Sequence, residues 1–196
     1  SGLRNPTDLA WNPWTGGLWA VVNERDMLGS DLVPDYLTDV EFAAFYGWPW
    51  NYWGGYVDHR VQPQRDDLRE YTRRPAFALG AHTAPLGLAF TPGSALGAPF
   101  DHGAFVALHG SWNRKPLAGY KVAYVAFDAN GRPQGKLVDV LTGFLNGDDA
   151  AQGRPVDVVG AKGGALLVSD DVGGIVWRVS NPAAKPVSTE SAKPVE

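Results

Sequence analysis

Cysteine is absent from all 196 residues, which removes disulfides, thiolate metal sites and cysteine nucleophiles at once. The redox compartment stays open, because cysteine-free chains occur on both sides of a membrane. No apolar run of the roughly 18 residues needed to span a bilayer occurs. The opening "SGLRNP" has neither a basic n-region nor an apolar h-region, so any export signal is expected upstream of Ser1. Charge of one sign is scarce too: 17 Lys and Arg stand against 21 Asp and Glu, without a dense run of either. That balance argues against nucleic acid or a membrane surface as partner and in favour of a small molecule. Several catalytic signatures are missing as well. The four histidines, at 59, 82, 102 and 109, form no HExxH or close pair. Ser111 in "HGSWN" lacks the GxSxG elbow of a hydrolase nucleophile, and "DMLGSD" lacks the downstream glutamate of an EF-hand loop.

What is abundant is punctuation. Twenty-four Gly and 15 Pro without a Gly-X-Y period, in a chain that is 44% hydrophobic, predict many short elements around a real core, an all-β architecture. A repeat supports this. Pro6-Thr7-Asp8-Leu9-Ala10-Trp11, Pro85-Leu86-Gly87-Leu88-Ala89-Phe90 and Pro155-Val156-Asp157-Val158-Val159 each set a small or acidic residue between apolar ones after a proline. A second apolar run follows each, at Leu18–Val22, Ala104–Leu108 and Ala165–Val168, so each copy reads as a hairpin. The second copy continues through Tyr120–Phe127, a turn, and Lys136–Leu141, giving four strands in order, the blade of a β-propeller. The third shows no clear fourth strand. Roughly three blades are expected where known propellers have at least about four, so part of the ring is expected to lie outside this chain. Residues 1–180 are read as this partial propeller, and 181–196, rich in Pro, Ala, Ser and charge, as a flexible tail.

The aromatic block "FYGWPWNYWGGY" at 45–56 is read mainly as packing. The alternative is that one or two of Trp48, Trp50, Tyr52 and Trp53 stack on a sugar ring. "LTDVEFAAF" fits a short helix or an irregular strand equally. The chemistry is sought at strand edges, in "LRNP", "VNERD", "AHTAP", "LHGSWNR" and "GRPVD". In a propeller such loops converge on the central channel, where Arg4, Arg114 and Arg154 surround one site suited to a ligand with several carboxylates or phosphates. Taken singly, an Arg beside a turn is more often structural or solvated. "NERD" reads either as a surface turn with a salt bridge or as a hard-cation site built from carbonyl and carboxylate oxygens. His82, His109 and Trp112 adjoin the same strings and are the candidate substrate contacts, the histidines also as proton acceptors.

Taken in order, "GLRNPTDLAW", "LWAVVNERD", "YGWPWNYWG", "AHTAPLGLAF", "HGSWNR" and "GRPVDV" resemble the soluble quinoprotein sugar dehydrogenases, above all the sorbosone and pyranose dehydrogenase branch. The resemblance implies a six-bladed propeller that binds pyrroloquinoline quinone (PQQ) and Ca²⁺ and oxidises a sugar or aldose, with this chain as its C-terminal half. It also implies that Arg4 and Asn5 contact the quinone, that Arg114 and Arg154 are further cationic contacts, and that Arg25 and Asp26 offer backbone carbonyls to Ca²⁺. Val156 stands where the pattern has a second Arg. The base histidine of the family is expected upstream of Ser1, so the chain alone is expected to be inactive. An electron acceptor such as a cytochrome c or a quinone, and a periplasmic or secreted location, are implied in the same way. Two other readings remain open: a propeller that binds carbohydrate or protein without turnover, and a calcium-dependent lactonase-like hydrolase.

Overall fold

The computed structural model describes residues 1–92 and 96–183; the expected tail lies, from residue 184, outside them. Among the described residues thirteen strands run in chain order: β1 (Asn5–Trp11), β2 (Leu18–Asn23), β3 (Pro34–Asp39), β4 (Asn51–Tyr52), β5 (Tyr56–Val57), β6 (Phe77–Ala81), β7 (Pro85–Phe90), β8 (Gly103–Leu108), β9 (Lys121–Phe127), β10 (Pro133–Leu141), β11 (Pro155–Gly160), β12 (Leu166–Asp170) and β13 (Ile175–Val179). They form antiparallel sheets in the orders β1-β2-β3-β6, β7-β8-β9-β10 and β11-β12-β13, with β4-β5 as an inserted hairpin. The chain is all-β and propeller-like, with three blades, the third of which has three described strands.

The repeat seen in the sequence marks the leading strand of each blade. β1 packs on β7 and β7 on β11, so these three strands line the hub. Each is bulged next to its small or acidic residue, between Pro6 and Asp8, Pro85 and Gly87, and Pro155 and Val158. The bulge turns backbone groups toward the neighbouring blade. Asp8 accepts a hydrogen bond from the Leu88 amide at 2.7 Å, and the Thr7 hydroxyl donates to the Pro85 carbonyl at 2.7 Å. Gly87 has to be glycine for a different reason. A Cβ there would lie 2.7 Å from the Asp157 Cα of the next blade.

Strand periodicity divides the core between blades. On β8, Ala104, Val106 and Leu108 face the first blade and join Trp19, Val21, Leu37 and Leu88. The alternate residues Phe105 and Ala107 face the third and pack with Val122, Tyr124, Val158 and Val168. Covered on both faces, β8 is buried along its whole length and its sequence GAFVAL shows no polar alternation.

The segment "LTDVEFAAF" resolves as the end of β3, a turn, and an isolated bridge from Phe45 to Thr72. The insert between β3 and β6 carries the aromatic block, and its rings sit under arginines. The Trp48 and Tyr52 rings flank the Arg25 guanidinium at 4.9 and 5.2 Å, Trp50 lies under Arg65 at 5.6 Å and Trp53 under Arg74 at 5.4 Å. Among the described residues no helix is long and apolar enough to cross a membrane.

Candidate functional site at the blade ends

Antiparallel order brings the start of β1, the end of β2, the start of β3, the β6–β7 loop and the end of β8 to one end of the first two blades. There they enclose a cleft of about 230 Å³. Arg4 and Asn5 line it from the start of β1, Asn23, Glu24 and Asp26 from the end of β2, and Asp35 from β3. His82 and Ala84 contribute from the β6–β7 loop, and Gly110, Ser111 and Trp112 from the segment after β8.

The lining is rich in acceptors. Glu24 and Asp35 are buried. Burial raises the Asp35 carboxyl to about 6, although it accepts hydrogen bonds from the Glu24 and Ala84 amides, each at 2.8 Å, which favour its charged form. The Ala84 bond, with one from the Thr83 hydroxyl at 3.3 Å, ties β3 to a loop in which His82 and Ala84 take left-handed backbone angles, φ +58° and +51°. The Asn23 side-chain oxygen is buried and meets no donor. Among the described residues, no group of three or more Asp, Glu or His side chains is arranged to hold a metal. A cation here would therefore be held by amide or backbone oxygens together with at most one or two carboxylates, a donor set that suits a hard ion.

Among the described residues, Arg4 is the one guanidinium that lines the cleft. Its ion pair with Asp26 is long, 3.7 Å, and its Cζ lies 5.9 Å from the centre of the Trp48 ring. The His82 ring nitrogens both face acceptor oxygens, Nε2 2.9 Å from the Gly29 carbonyl and Nδ1 3.4 Å from the Asp26 carboxylate.

The structure brings together some of the residues expected from sequence and separates others. Arg4, Asn5, Asp26, His82 and Trp112 share the cleft. Arg154 stands behind its wall, donating to the carbonyls of His109 at 3.0 Å and Gly110 at 2.7 Å with Tyr120 under its guanidinium. Arg114 lines a neighbouring cleft of about 300 Å³ with Gly29, Ser30 and Trp112. There it bonds the Ser30 carbonyl and, at 2.8 Å, Asp31. Trp112, 73% exposed, is common to both clefts. His109 pairs with Asp171 at 3.0 Å, outside the cleft lining.

The Arg25 side chain turns away from the cleft and is 2% exposed. It donates to Glu24 at 2.9 Å, to Asp58 at 3.1 Å, and to the carbonyls of Pro49 and Asn51 at 3.1 and 2.8 Å. The Asp26 carbonyl accepts from Arg60 at 2.8 Å, which leaves it a second lone pair. Asn23, Glu24, Asp35 and Ser111 were not singled out as site residues from sequence. Asn23 and Glu24 stand inside "VNERD" beside the residues that were, whereas nothing in "LVPDYLTD" marks Asp35.

The TrAA12-like family model matches residues 57–182. The chain belongs to the TrAA12-like family. It is 30% identical over 184 residues to an uncharacterized protein of Borreliella burgdorferi, covering 91% of this chain and 47% of that protein. It is 33% identical over 180 residues to the pyrroloquinoline quinone-dependent pyranose dehydrogenase of Coprinopsis cinerea, covering 74% of this chain and 24% of that enzyme. The holo form of the pyranose dehydrogenase PQQ domain from Coprinopsis cinerea superimposes with a TM-score of 0.73 at 27% identity, over 92% of this chain and 54% of that domain. The quinoprotein sugar dehydrogenase resemblance and the propeller fold are thus borne out. This TrAA12-like chain spans about half or less of the length of the curated relatives it matches.

Proposed function

We propose that this chain supplies the cofactor-facing part of a PQQ- and calcium-dependent sugar or aldose dehydrogenase. The observation that carries the reading is the meeting of Arg4 and Asn5, adjacent in sequence, with the acceptor-rich floor of Asn23, Glu24 and Asp26 in one cleft. An anionic ligand that itself binds a hard cation needs both. When bound, PQQ with Ca²⁺ supplies a two-electron acceptor for oxidation of a sugar hydroxyl or aldehyde.

The chain's own residues have limited, definable tasks in this reading. The Arg4 guanidinium, held loosely by Asp26, is free to fork onto a carboxylate of the ligand, and the Asn5 amide offers a donor to a ligand oxygen. The carbonyls of Arg25 and Asp26, with the unpartnered Asn23 oxygen, would hold the cation. Arg154 acts on the ligand through the His109–Gly110 wall, and Arg114 through the loop that shares Trp112. Trp112 presents an exposed ring at the mouth on which a pyranose can stack. Both nitrogens of His82 face acceptor oxygens and His109 is paired with Asp171. The base that takes the sugar's proton is therefore assigned to the part of the longer relatives that this chain does not span. A separate electron acceptor and a periplasmic or secreted location belong to the same proposal.

The test uses the intact protein titrated with PQQ, with and without Ca²⁺, followed by ligand absorbance and then by dye-linked sugar oxidation. Calcium-dependent binding is expected, and Arg4→Ala is expected to weaken it at least tenfold, about one lost charge-assisted contact. The melting temperature should not move, because the Arg4–Asp26 pair is long and partly exposed. PQQ binding that ignores both calcium and Arg4, or an intact protein without sugar oxidation, would overturn the reading.

A further inference from the structure

Behind the floor of the cleft lies a closed circuit of charge. Arg25 reaches back from the floor to Asp58, whose side chain is 2% exposed. Asp58 takes the fork of Arg60, Nε to one oxygen at 2.8 Å and Nη2 to the other at 2.7 Å. The remaining arm of Arg60, Nη1, returns to the floor at the Asp26 carbonyl, 2.8 Å away. The backbone from Arg25 to the Asp26 carbonyl is therefore tied at both ends to one carboxylate, through the Arg25 side chain and through Arg60. The grip continues along the loop, where His82 meets the Gly29 carbonyl and Arg114 the Ser30 carbonyl.

Stability alone is a poor reason for this arrangement. Burying an ion pair costs desolvation that its attraction scarcely repays, and apolar replacements of similar volume are often as stable. What an apolar cluster lacks is directional bonds that fix which way a carbonyl points. The sequence gives no hint of the circuit, because Asp58 and Arg60 sit in the "VDHR" stretch more than 30 residues downstream of Asp26.

We infer that Arg60, anchored on Asp58, is a positioning residue that fixes the orientation of the Arg25–Asp26 backbone at the floor of the cleft. The positioning role stands on this geometry alone. Its link to calcium rests on the function proposed above. Arg60 is the residue to change, because its head is 44% exposed and its removal leaves Asp58 still paired with Arg25.

The experiment compares native protein, Arg60→Gln, Arg60→Lys and, as a control, Arg65→Gln, which breaks the exposed Arg65–Asp67 pair. Amide hydrogen exchange is read by mass spectrometry on the peptide covering residues 24–30. Calcium affinity is read on the same proteins by competition with Tb³⁺ luminescence excited through tryptophan. In Arg60→Gln the 24–30 peptide should exchange about tenfold faster while peptides from β8 keep native protection. Calcium affinity should fall about tenfold, the lower end for losing a residue that orients a metal ligand. Arg60→Lys keeps a donor but not the fork, and should recover part of both. Arg65→Gln should match native protein. Native-like exchange in the 24–30 peptide of Arg60→Gln overturns the proposal whatever calcium does. Should Arg60→Gln fail to fold, native exchange and native calcium affinity in Arg60→Lys overturn it instead. Faster exchange in a protein that binds no calcium in any form leaves the positioning role in place and removes the cation site.

Discussion

Two walls of the cleft are each held by an arginine that does not line it, and they are held differently. The Asn23–Asp26 wall is fixed by ions, with Arg25 among Glu24, Asp58 and two aromatic rings at almost no exposure. The Gly110–Trp112 wall is fixed by caps on neutral groups, with Arg154 on the carbonyls of Gly110 and its neighbour His109 and the Tyr120 hydroxyl on the Ser111 carbonyl at 2.6 Å. Removing a charge from the first wall strands other charges. Removing one from the second strands only neutral carbonyls. The first wall should therefore be the brittle one.

That difference sets the order of the expected effects. Arg25→Ala leaves Glu24 and Asp58 with lost partners in a buried site and should cost about 3–5 kcal/mol, read as a loss of denaturant midpoint. A cost no larger than that of Arg154→Ala would erase the contrast. Asp35 sharpens it through pH. The unfolded chain releases this proton near 3.8, while burial keeps it in the folded protein until about 6. Between those values the folded state holds more protons, so the contribution of Asp35 to stability is largest at low pH. It declines as pH rises through 6, by up to about 3 kcal/mol. Asp35→Asn should remove that slope from the cation-free protein between pH 4 and 7, and an unchanged slope would assign it to another group. The smallest effect is expected at the second wall. Arg154→Ala should cost about 2 kcal/mol in thermal or urea unfolding, the worth of its charged bonds to two carbonyls.

The fold was more legible than the site. Hairpins betray themselves locally, because alternation and turn residues lie within a few positions of one another. Three repeats placed the leading strands and the apolar runs that pair with them, whereas the burial of β8 on both faces shows only in the fold. The third and fourth strands of the first blade were missed because a long aromatic insert parts Asp39 from Phe77. In the site, position in sequence identified the right loops but not the direction of their side chains. "NERD" lies at the cleft, yet the Arg within it points away while Asn23 and Glu24 line it. Arg154 likewise reaches the site through backbone carbonyls rather than through space. Side-chain direction at a strand end depends on what lies behind it. Here that is Trp48, Tyr52 and Asp58, contributed by an insert about 30 residues away whose approach no local pattern announces.

The inner wall of the ring has its own grammar. An aspartate at position 8 reaches across to the second blade, a glycine at 87 makes way, and an aspartate at 157 crosses into the room left over. The two blade junctions are thus cut differently, one by an acceptor that crosses to an amide and one by a recess that admits a neighbour's backbone. Exchanging one blade for another is expected to require moving these three residues as a set.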